Sequence, residues 1–539
     1  MIRMKNQEYP LYELPLIRNL RDLVLLEAES RPEQPAFTCL GAGRQLWKKT
    51  RRAVFDEMSA LGTWMTMEGF CGIHIAILGE NSYEWLLGFL AAVNGGNVAV
   101  PIDKELPRRE VQNLLRLADV SVVFCSEKYR ERVDSMDGVR VVLTEGFGTY
   151  IEAGKSGMEA GITDFTDFEI EPEHTACIFF TSGTSGASKG VALSHGNLAA
   201  DVNNTCKLFS PNGDTVALLP FHHAFGLMIC LMLYHYGCTV HINKSLKTVQ
   251  KSLSAAKPQT LFLVPLYVET FHKQIWETAR KEGKEKLLKR MMAVSDFLLS
   301  SKIDIRKKCF ASVGRAFGGN LEYIICGGAA LDVCYVKEFR SWGIEILNGY
   351  GTTECSPCTA VNRNFHHRDG TVGLLIPGSR VKIAEDGEIL VWGPHVMQGY
   401  YKDNVATEEA LKDGWYATGD LGSLSQDGFL TITGRKKNLI ILPNGENISP
   451  EELEGDFRND EGVREVLVYE RDGAIIAEIY PDERHMGDEN YFTDVMKQVN
   501  SGRPLYKQVA GIRLRDHAFE KNTSMKIVRY KIRNEEENG

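Results

Sequence analysis

The stretch from Ile73 to Cys125 constrains the fold of this chain more than any other. Ile73–Leu78 is an apolar, β-branched run that reads as a strand, and Gly79-Glu80 ends it. A helix is expected to begin near Asn81, with Asn81 as its N-cap, Glu84 as the capping-box partner and Gly95-Gly96 as its stop. Val98–Ile102 then reads as a strand, Pro107–Leu117 as a helix and Val120–Cys125 as a third strand. Such an order calls for crossover connections, and hence for a parallel sheet covered by helices on both faces. Just upstream, Arg51–Met65 places Val54, Met58, Leu61 and Met65 on one face of a helix.

A second feature speaks to chemistry. An apolar run ending at Ile178-Phe179-Phe180 reads as a strand, and Val191-Ala192-Leu193 as its hairpin partner. Between them stand Gly183, Gly186 and Gly190, the hydroxyls of Thr181, Ser182, Thr184 and Ser185, and one cation, Lys189. Glycines let backbone N–H groups curl around an anion, hydroxyls donate to its oxygens and the lysine adds charge, so the loop suits a polyphosphate. A plain Gly/Ser connection between two strands is the alternative. The loop is not a Walker A loop, because Lys189 is followed by Gly190 and a strand-like run instead of a hydroxyl residue and a helix.

At 539 residues the chain is too long for one core, and two or three domains are expected. A formal net charge of −9 argues against a nucleic-acid binder. Met1–Pro10 is mostly polar and lacks the pattern of a leader. The longest apolar stretches, near Trp85–Val93 and Leu227–Leu233, are too short to span a bilayer and are expected to fill cores. Twelve scattered cysteines point to reduced thiols and a cytoplasmic location. Cys355 and Cys358 are spaced as Cys-x-x-Cys, but no second pair accompanies them, so they read as incidental.

A second alternation follows the loop: a helix near Asn197–Leu208, a strand Thr215–Leu219, a helix near Leu227–Tyr236 and a strand Thr239–Ile242. Leu261–Val264 and Tyr323–Cys326 read as further buried strands, separated by a long helical stretch, roughly Leu266–Ser301. Its segment Lys281–Arg290 is basic, which fits a solvated face, with a contact to a membrane surface or to a ligand's phosphates as the alternative. From about Gly370 the texture turns β-rich, with Asp386-Gly387 and Asp427-Gly428 as hairpin turns. Beyond Gly434-Arg435 comes a smaller α+β segment with a turn at Asp472-Gly473 and a helix near Tyr491–Asn500. The tail after Arg529 is charged and expected to fray.

The loop from Thr181 to Gly190 resembles the phosphate loop of the acyl-adenylate-forming enzymes, the acyl-CoA synthetases, luciferases and peptide-synthetase adenylation domains. That family usually has a threonine where Ser185 stands and a proline where Ser188 stands. Further stretches resemble the family's motifs in the family's order. Pro220–Gly226 carries His223, the family's site histidine, beside His222. Cys326–Leu331 supplies Gly328 and Ala329 to the adenine edge. Asn348-Gly349-Tyr350-Gly351-Thr352-Thr353-Glu354 supplies Tyr350 to the adenine face, Thr353 to the α-phosphate and Glu354 to Mg2+. Trp415–Asp420 and Gly434-Arg435 supply Asp420 and Arg435 to the ribose hydroxyls. Lys437 matches the hinge position, and Gly445 the channel for a pantetheine arm. Lys526 matches the lysine that closes the site during adenylation, although Met525 stands where the family has glycine and Lys521 lies nearby.

The resemblance covers roughly Arg21–Arg529 and, through the helical insertion before Phe317, is similar to long-chain acyl-CoA synthetases. It implies an α/β fold, with a large N-terminal domain of parallel α/β sheets and an antiparallel β subdomain over residues 1–436. A small mobile α+β domain is implied over 437–539. The implied activity is an ATP-, Mg2+- and coenzyme A-dependent carboxylic acid ligase, expected to prefer fatty acids. It forms acyl-AMP and then acyl-CoA, with Lys526, His223, Thr353 and Lys437 serving the reaction. A stand-alone enzyme that loads an acyl carrier protein, and a non-catalytic nucleotide binder, remain as alternatives. The missing Walker pattern excludes a P-loop kinase.

Overall fold

The structure, a computed structural model, describes residues 10–40, 46–134, 136–182, 188–211, 213–441, 447–471, 473–521, 527 and 529. Chain contacts divide it into two compact units. The first comprises Met1–Arg380, Val391–Tyr416 and Gln426–Phe429, and the second Val381–Leu390, Ala417–Ser425 and Leu430–Gly539.

In the first unit the expected alternation forms the centre of a seven-stranded sheet. Its strands lie in the order Gly399–Tyr400, Ser188–Ser194, Thr175–Ser182, Val98–Ile102, His74–Leu78, Val120–Cys125 and Arg140–Leu143. The pairings among the four strands His74–Leu78, Val98–Ile102, Val120–Cys125 and Arg140–Leu143 are parallel. Thr175–Ser182 and Ser188–Ser194 form the antiparallel hairpin that the sequence implied.

The crossover helix Tyr83–Asn94 buries every residue except Glu84, which is why its apolar residues run all the way round. Its N-cap is Ser82, whose side chain accepts from Trp85 N, and not Asn81 as expected. Asn81 is buried and bonded elsewhere, as shown below. Helix Arg51–Met67 buries Val54, Met58, Leu61 and Met65, the expected face. It crosses helix Phe147–Glu159 so closely that a Cβ on Gly154 would lie 1.7 Å from the Ala60 carbonyl oxygen. Only glycine permits that approach.

A four-stranded sheet joins Leu46–Thr50, Pro35–Leu40, Val240–Ile242 and Thr215–Ala217. Three parallel strands, Thr260–Leu263, Tyr323–Cys326 and Glu345–Gly351, are continued by antiparallel Cys358–Val361 and Gly373–Leu375. The long helical stretch is two helices, Pro265–Lys281 and Glu285–Ser300, and not one. Gly283 breaks it with φ +67°, a left-handed turn for which glycine carries no steric cost.

Arg51, fully buried, ties three helices of this unit together. It donates to Glu27 Oε2 at 2.8 Å, to the Tyr234 carbonyl at 2.6 Å and to the Cys238 carbonyl at 2.9 Å. A buried charge held this way is expensive to unpair.

The strands Arg380–Ile383, Glu388–Trp392, Trp415–Leu424 and Phe429–Arg435, most of whose residues belong to the second unit, are neighbours in that order. The turn at Gly387, φ +85°, joins the first two, and the last two pair antiparallel. The C-terminal part is a sheet of Val463–Arg471, Ala474–Pro481 and Gly511–Leu514. It shares a core with helices Pro450–Arg458 and Glu489–Asn500, through Leu453, Phe457, Val468, Ile479, Phe492 and Val495.

Candidate active site

The phosphate-loop hairpin is in register up to its tip. Thr181 faces Lys189 and Ser182 faces Ser188, so one hydroxyl and the cation flank the loop mouth as a cross-strand pair. Gly183, Thr184, Ser185 and Gly186 lie outside the described residues, as does the side chain of Ser182. The Lys189 Nζ sits 4.7 Å from the centre of the Tyr400 ring. Tyr400 is brought there because Gly399–Tyr400 pairs with Val191 and Ala192 on the hairpin.

Tyr400 also reaches the third motif. Its hydroxyl donates to Glu354 Oε1 at 3.0 Å, and Met397 N donates to the Glu354 carbonyl at 2.8 Å. Burial, with Glu354 alongside, pushes the Tyr400 phenol up, so it stays a donor. Strand Glu345–Gly351 runs into the short turn Thr353–Cys355 that carries Thr353 and Glu354. The turn can fold back because a Cβ on Gly351 would lie 1.7 Å from the Pro357 carbonyl oxygen, and glycine has none.

Helix His195–Leu208, directly after the hairpin, holds both pieces. Ser194 and Asn197 form its capping box. The Asn197 amide also donates to the carbonyls of Pro394 and Val396, at 2.8 and 2.9 Å. One turn on, buried Asp201 accepts from Cys358 N at 3.0 Å. Positions i and i+4 share a helix face, so one face sets the 394–400 segment and the 353–358 turn against the hairpin.

The second motif adjoins the third. Cys326 pairs with Asn348 in parallel register, and a Cβ on Gly327 would meet the Gly349 carbonyl oxygen at 3.4 Å. Gly328, with φ +83°, and Ala329 form an exposed turn at the carboxyl ends of parallel strands, where ligands of open α/β sheets bind. Asn348 Oδ1 is buried without a hydrogen-bond partner among the described residues. Such an acceptor fits the amino edge of a purine.

His223 stands at the head of helix Ala224–Tyr236, and the Phe225 ring lies 3.2 Å from where a Gly327 Cβ would be. The loop before the helix is clamped by Asn81, which donates to the Leu219 carbonyl at 2.8 Å and accepts from Phe221 N at 3.0 Å. His222 lies 3.3 Å from Asp103 Oδ1, and its ring packs 4.4 Å from that of His223. Burial, then the neighbouring His223 and Lys104, hold His222 well below its ordinary range, so it is neutral. An apolar recess lined by Leu218, Gly226, Ile229, Cys230 and Phe262 lies behind the same helix. The Cys355 thiol is pushed up to about 12 by burial, and so stays protonated.

In the second unit, Asp420 and Arg435 are a cross-strand pair, with Arg435 Nε donating to Asp420 Oδ1 at 2.9 Å. Lys437 is exposed in the turn Lys436–Asn438. Gly445, Met525 and Lys526 lie outside the described residues. Described residues flanking this stretch in the sequence make ion pairs. Lys521 donates to Glu465 Oε1 at 2.7 Å, and Arg529 donates to both oxygens of buried Glu454 at 2.6 Å.

A family model described as AMP-binding enzyme matches residues 26–401. The chain belongs to the AMP-binding enzyme family. A long-chain-fatty-acid–CoA ligase of Mycobacterium bovis, FadD15, is 30% identical over 450 residues, covering 78% of this chain and 73% of the relative. Long-chain-fatty-acid–CoA ligase 1 of Cavia porcellus is 28% identical over 563 residues, covering 90% and 80%. The Bacillus subtilis O-succinylbenzoate coenzyme A synthetase, solved in complex with ATP and magnesium ion, shares the fold. Its TM-score is 0.74 at 22% identity, covering 95% of this chain and 99% of that one. This AMP-binding enzyme is thus an AMP-forming acid–thiol ligase of the acyl-CoA ligase group. No helix among its described residues is long and apolar enough to cross a membrane.

The candidate site of this AMP-binding enzyme includes residues that no sequence motif marks. Asn81, Asp103, Asn197, Asp201 and Tyr400 position the motifs through hydrogen bonds and contacts across long chain separations. The i, i+4 spacing of Asn197 and Asp201 is the one sequence signal available for them, since it places both on one helix face.

Proposed function

We propose that this enzyme is a fatty acid:CoA ligase. It joins the acid to ATP as acyl-AMP with release of pyrophosphate, then passes the acyl group to the thiol of coenzyme A with release of AMP. The observation that carries the reading is the Lys189–Tyr400–Glu354 arrangement, which ties the phosphate-loop hairpin to the turn bearing Thr353 and Glu354. A fatty acid is supported by the names of the sequence relatives.

In the first half-reaction the carboxylate must approach an α-phosphate, and like charges oppose it. Lys189 holds a cation at the loop mouth, Thr353 offers a hydroxyl, and Lys526 supplies a second cation. Asn348, Gly328 and Ala329 take the adenine edge, Tyr350 its face, and Asp420 with Arg435 the ribose. Glu354 fits Mg2+, since a carboxylate that accepts one hydrogen bond from Tyr400 keeps lone pairs for a cation. The bound ion would supply neutralisation of phosphate charge. His223, packed against the tilted ring of its neighbour His222, borders the acyl group. In the second half-reaction Lys437 acts as pivot, Lys526 leaves, and the backbone at Gly445 lines the path of the pantetheine thiol.

ATP–pyrophosphate exchange across short, medium, long and aromatic acids tests the assignment, followed by coenzyme A against a holo acyl carrier protein as acceptor. Long-chain acids are expected to lead in kcat/KM, with coenzyme A as acceptor. A preference for aromatic or amino acids rejects the fatty-acid assignment, and transfer to the carrier alone rejects coenzyme A.

A further inference from the structure

Helix Glu285–Ser300 has two apolar faces, and the structure accounts for only one. Leu288, Met291 and Met292 pack on a core cluster, and Ser295 is buried. On the other side Leu287 is 54% exposed, Val294 54% and Phe297 72%. With Lys286 and Arg290, these residues fall within an arc of roughly 100° at 3.6 residues per turn. Just beyond the helix, Ile303 is 52% exposed. A run of large apolar side chains this exposed on one helix face signals a partner.

The charge around that stripe says which partner. Residues 281–308 hold nine basic and four acidic side chains, on a chain whose formal net charge is −9. The acidic ones are already engaged. Glu282 pairs with Lys284, Glu285 with Arg280 and Lys289, and Asp304 with Arg306, while Asp296 accepts from the Ser341 hydroxyl. Lys286, Arg290, Lys302 and Lys308 enter no ion pair among the described residues. A stripe of Leu, Val, Phe and Ile flanked by unengaged cations is the pattern of an interfacial helix that sinks its apolar side chains between anionic lipid headgroups.

We propose that the outer face of helix Glu285–Ser300, with Ile303, Lys302 and Lys308, docks this protein on an anionic lipid bilayer surface. The proposal does not depend on which acid the enzyme activates. None of its residues is among those assigned to ATP, the acid or the thiol.

The test is flotation of the full-length protein with vesicles of phosphatidylcholine alone or with about 30% phosphatidylglycerol, a content at which basic residues add appreciably to binding. Binding to the anionic vesicles that falls as salt rises is expected. Lys286→Gln with Arg290→Gln should weaken it about fivefold per residue. Leu287→Ser with Val294→Ser and Phe297→Ser should weaken it by more than tenfold. Both sets should leave the thermal midpoint, and pyrophosphate exchange with a short water-soluble acid, at parent values. No binding by the parent at low salt, equal binding to neutral vesicles, or equal binding by the variants would each overturn the proposal. So would sedimentation showing that the parent self-associates through this face while the apolar variant is monomeric.

Discussion

The Tyr400–Glu354 contact is the sharpest point at which to test the site. Tyr400 is 8% exposed, and its hydroxyl donates to Glu354 Oε1 at 3.0 Å. A hydrogen bond to a charged group contributes about 1.5–3 kcal/mol, a factor of roughly 10 to 150 in an equilibrium or rate ratio. Tyr400→Phe removes that bond and keeps the ring 4.7 Å from the Lys189 ammonium. If the bond orients Glu354 for its role, Tyr400→Phe should lower kcat/KM for ATP in pyrophosphate exchange by about that factor. In a Glu354→Ala background the same change should cost little, because the acceptor is gone. The double-mutant cycle then gives a coupling of about 1.5–3 kcal/mol, with thermal midpoints as the check on folding. Equal losses from Tyr400→Phe in both backgrounds would refute the reasoning. Tyr400→Leu extends the series by removing the ring, with a further loss of about 0.5–2 kcal/mol that should vanish when Lys189 is alanine.

Asp420→Ala should weaken ATP binding by about 1–3 kcal/mol in calorimetry, through loss of a charged acceptor; unchanged affinity removes Asp420 from the ribose. Lys526→Ala should slow acyl-AMP formation severely yet form thioester from pre-made acyl-AMP at near the parent rate, and Lys437→Pro should do the reverse. If Lys526→Ala spares adenylation, the lysine has been misassigned; Lys521 is then a poor replacement, since it is held by Glu465. Stability should fall on acidification, because burial holds the imidazoles of His195, His235, His241 and His395 down at about 4. A histidine depressed in the folded state is protonated first in the unfolded chain, so stability is lost as pH falls from about 6.5 towards 4. At pH 5 each costs about 2 kcal/mol and the four together about 8, comparable to the whole stability of a typical domain. Burial raises Glu27 and Asp201, which act in the opposite sense and trim the loss. A urea midpoint that stays level from pH 7 to pH 5 would contradict this.

What the sequence by itself determined is local. The strands and helices between Ile73 and Cys125, the hairpin around the phosphate loop and the turn at Gly387 follow from hydrophobic period and turn chemistry within a few residues. The motifs carried by Lys189, Asn348–Glu354 and Asp420 were legible for the same reason, since each is a short run whose chemistry is complete in itself. Even locally, close competitors are decided by the folded context. Asn81 and Ser82 are both good caps, and Ser82 caps because Asn81 is drawn away to Leu219 and Phe221 across 138 and 140 residues. Gly283 lies inside the stretch that reads as continuous helix from the sequence, and where Glu285–Ser300 returns onto the core it is a turn. Tertiary structure alone decided which residues support the motifs. Tyr400 meets Glu354 across 46 residues of chain, Asp201 meets Cys358 across 157, and Arg51 meets Tyr234 across 183. No periodicity reaches that far. Such pairs are set by where the chain returns once its apolar faces are buried, and buried polar groups then take the partners that this path leaves within reach.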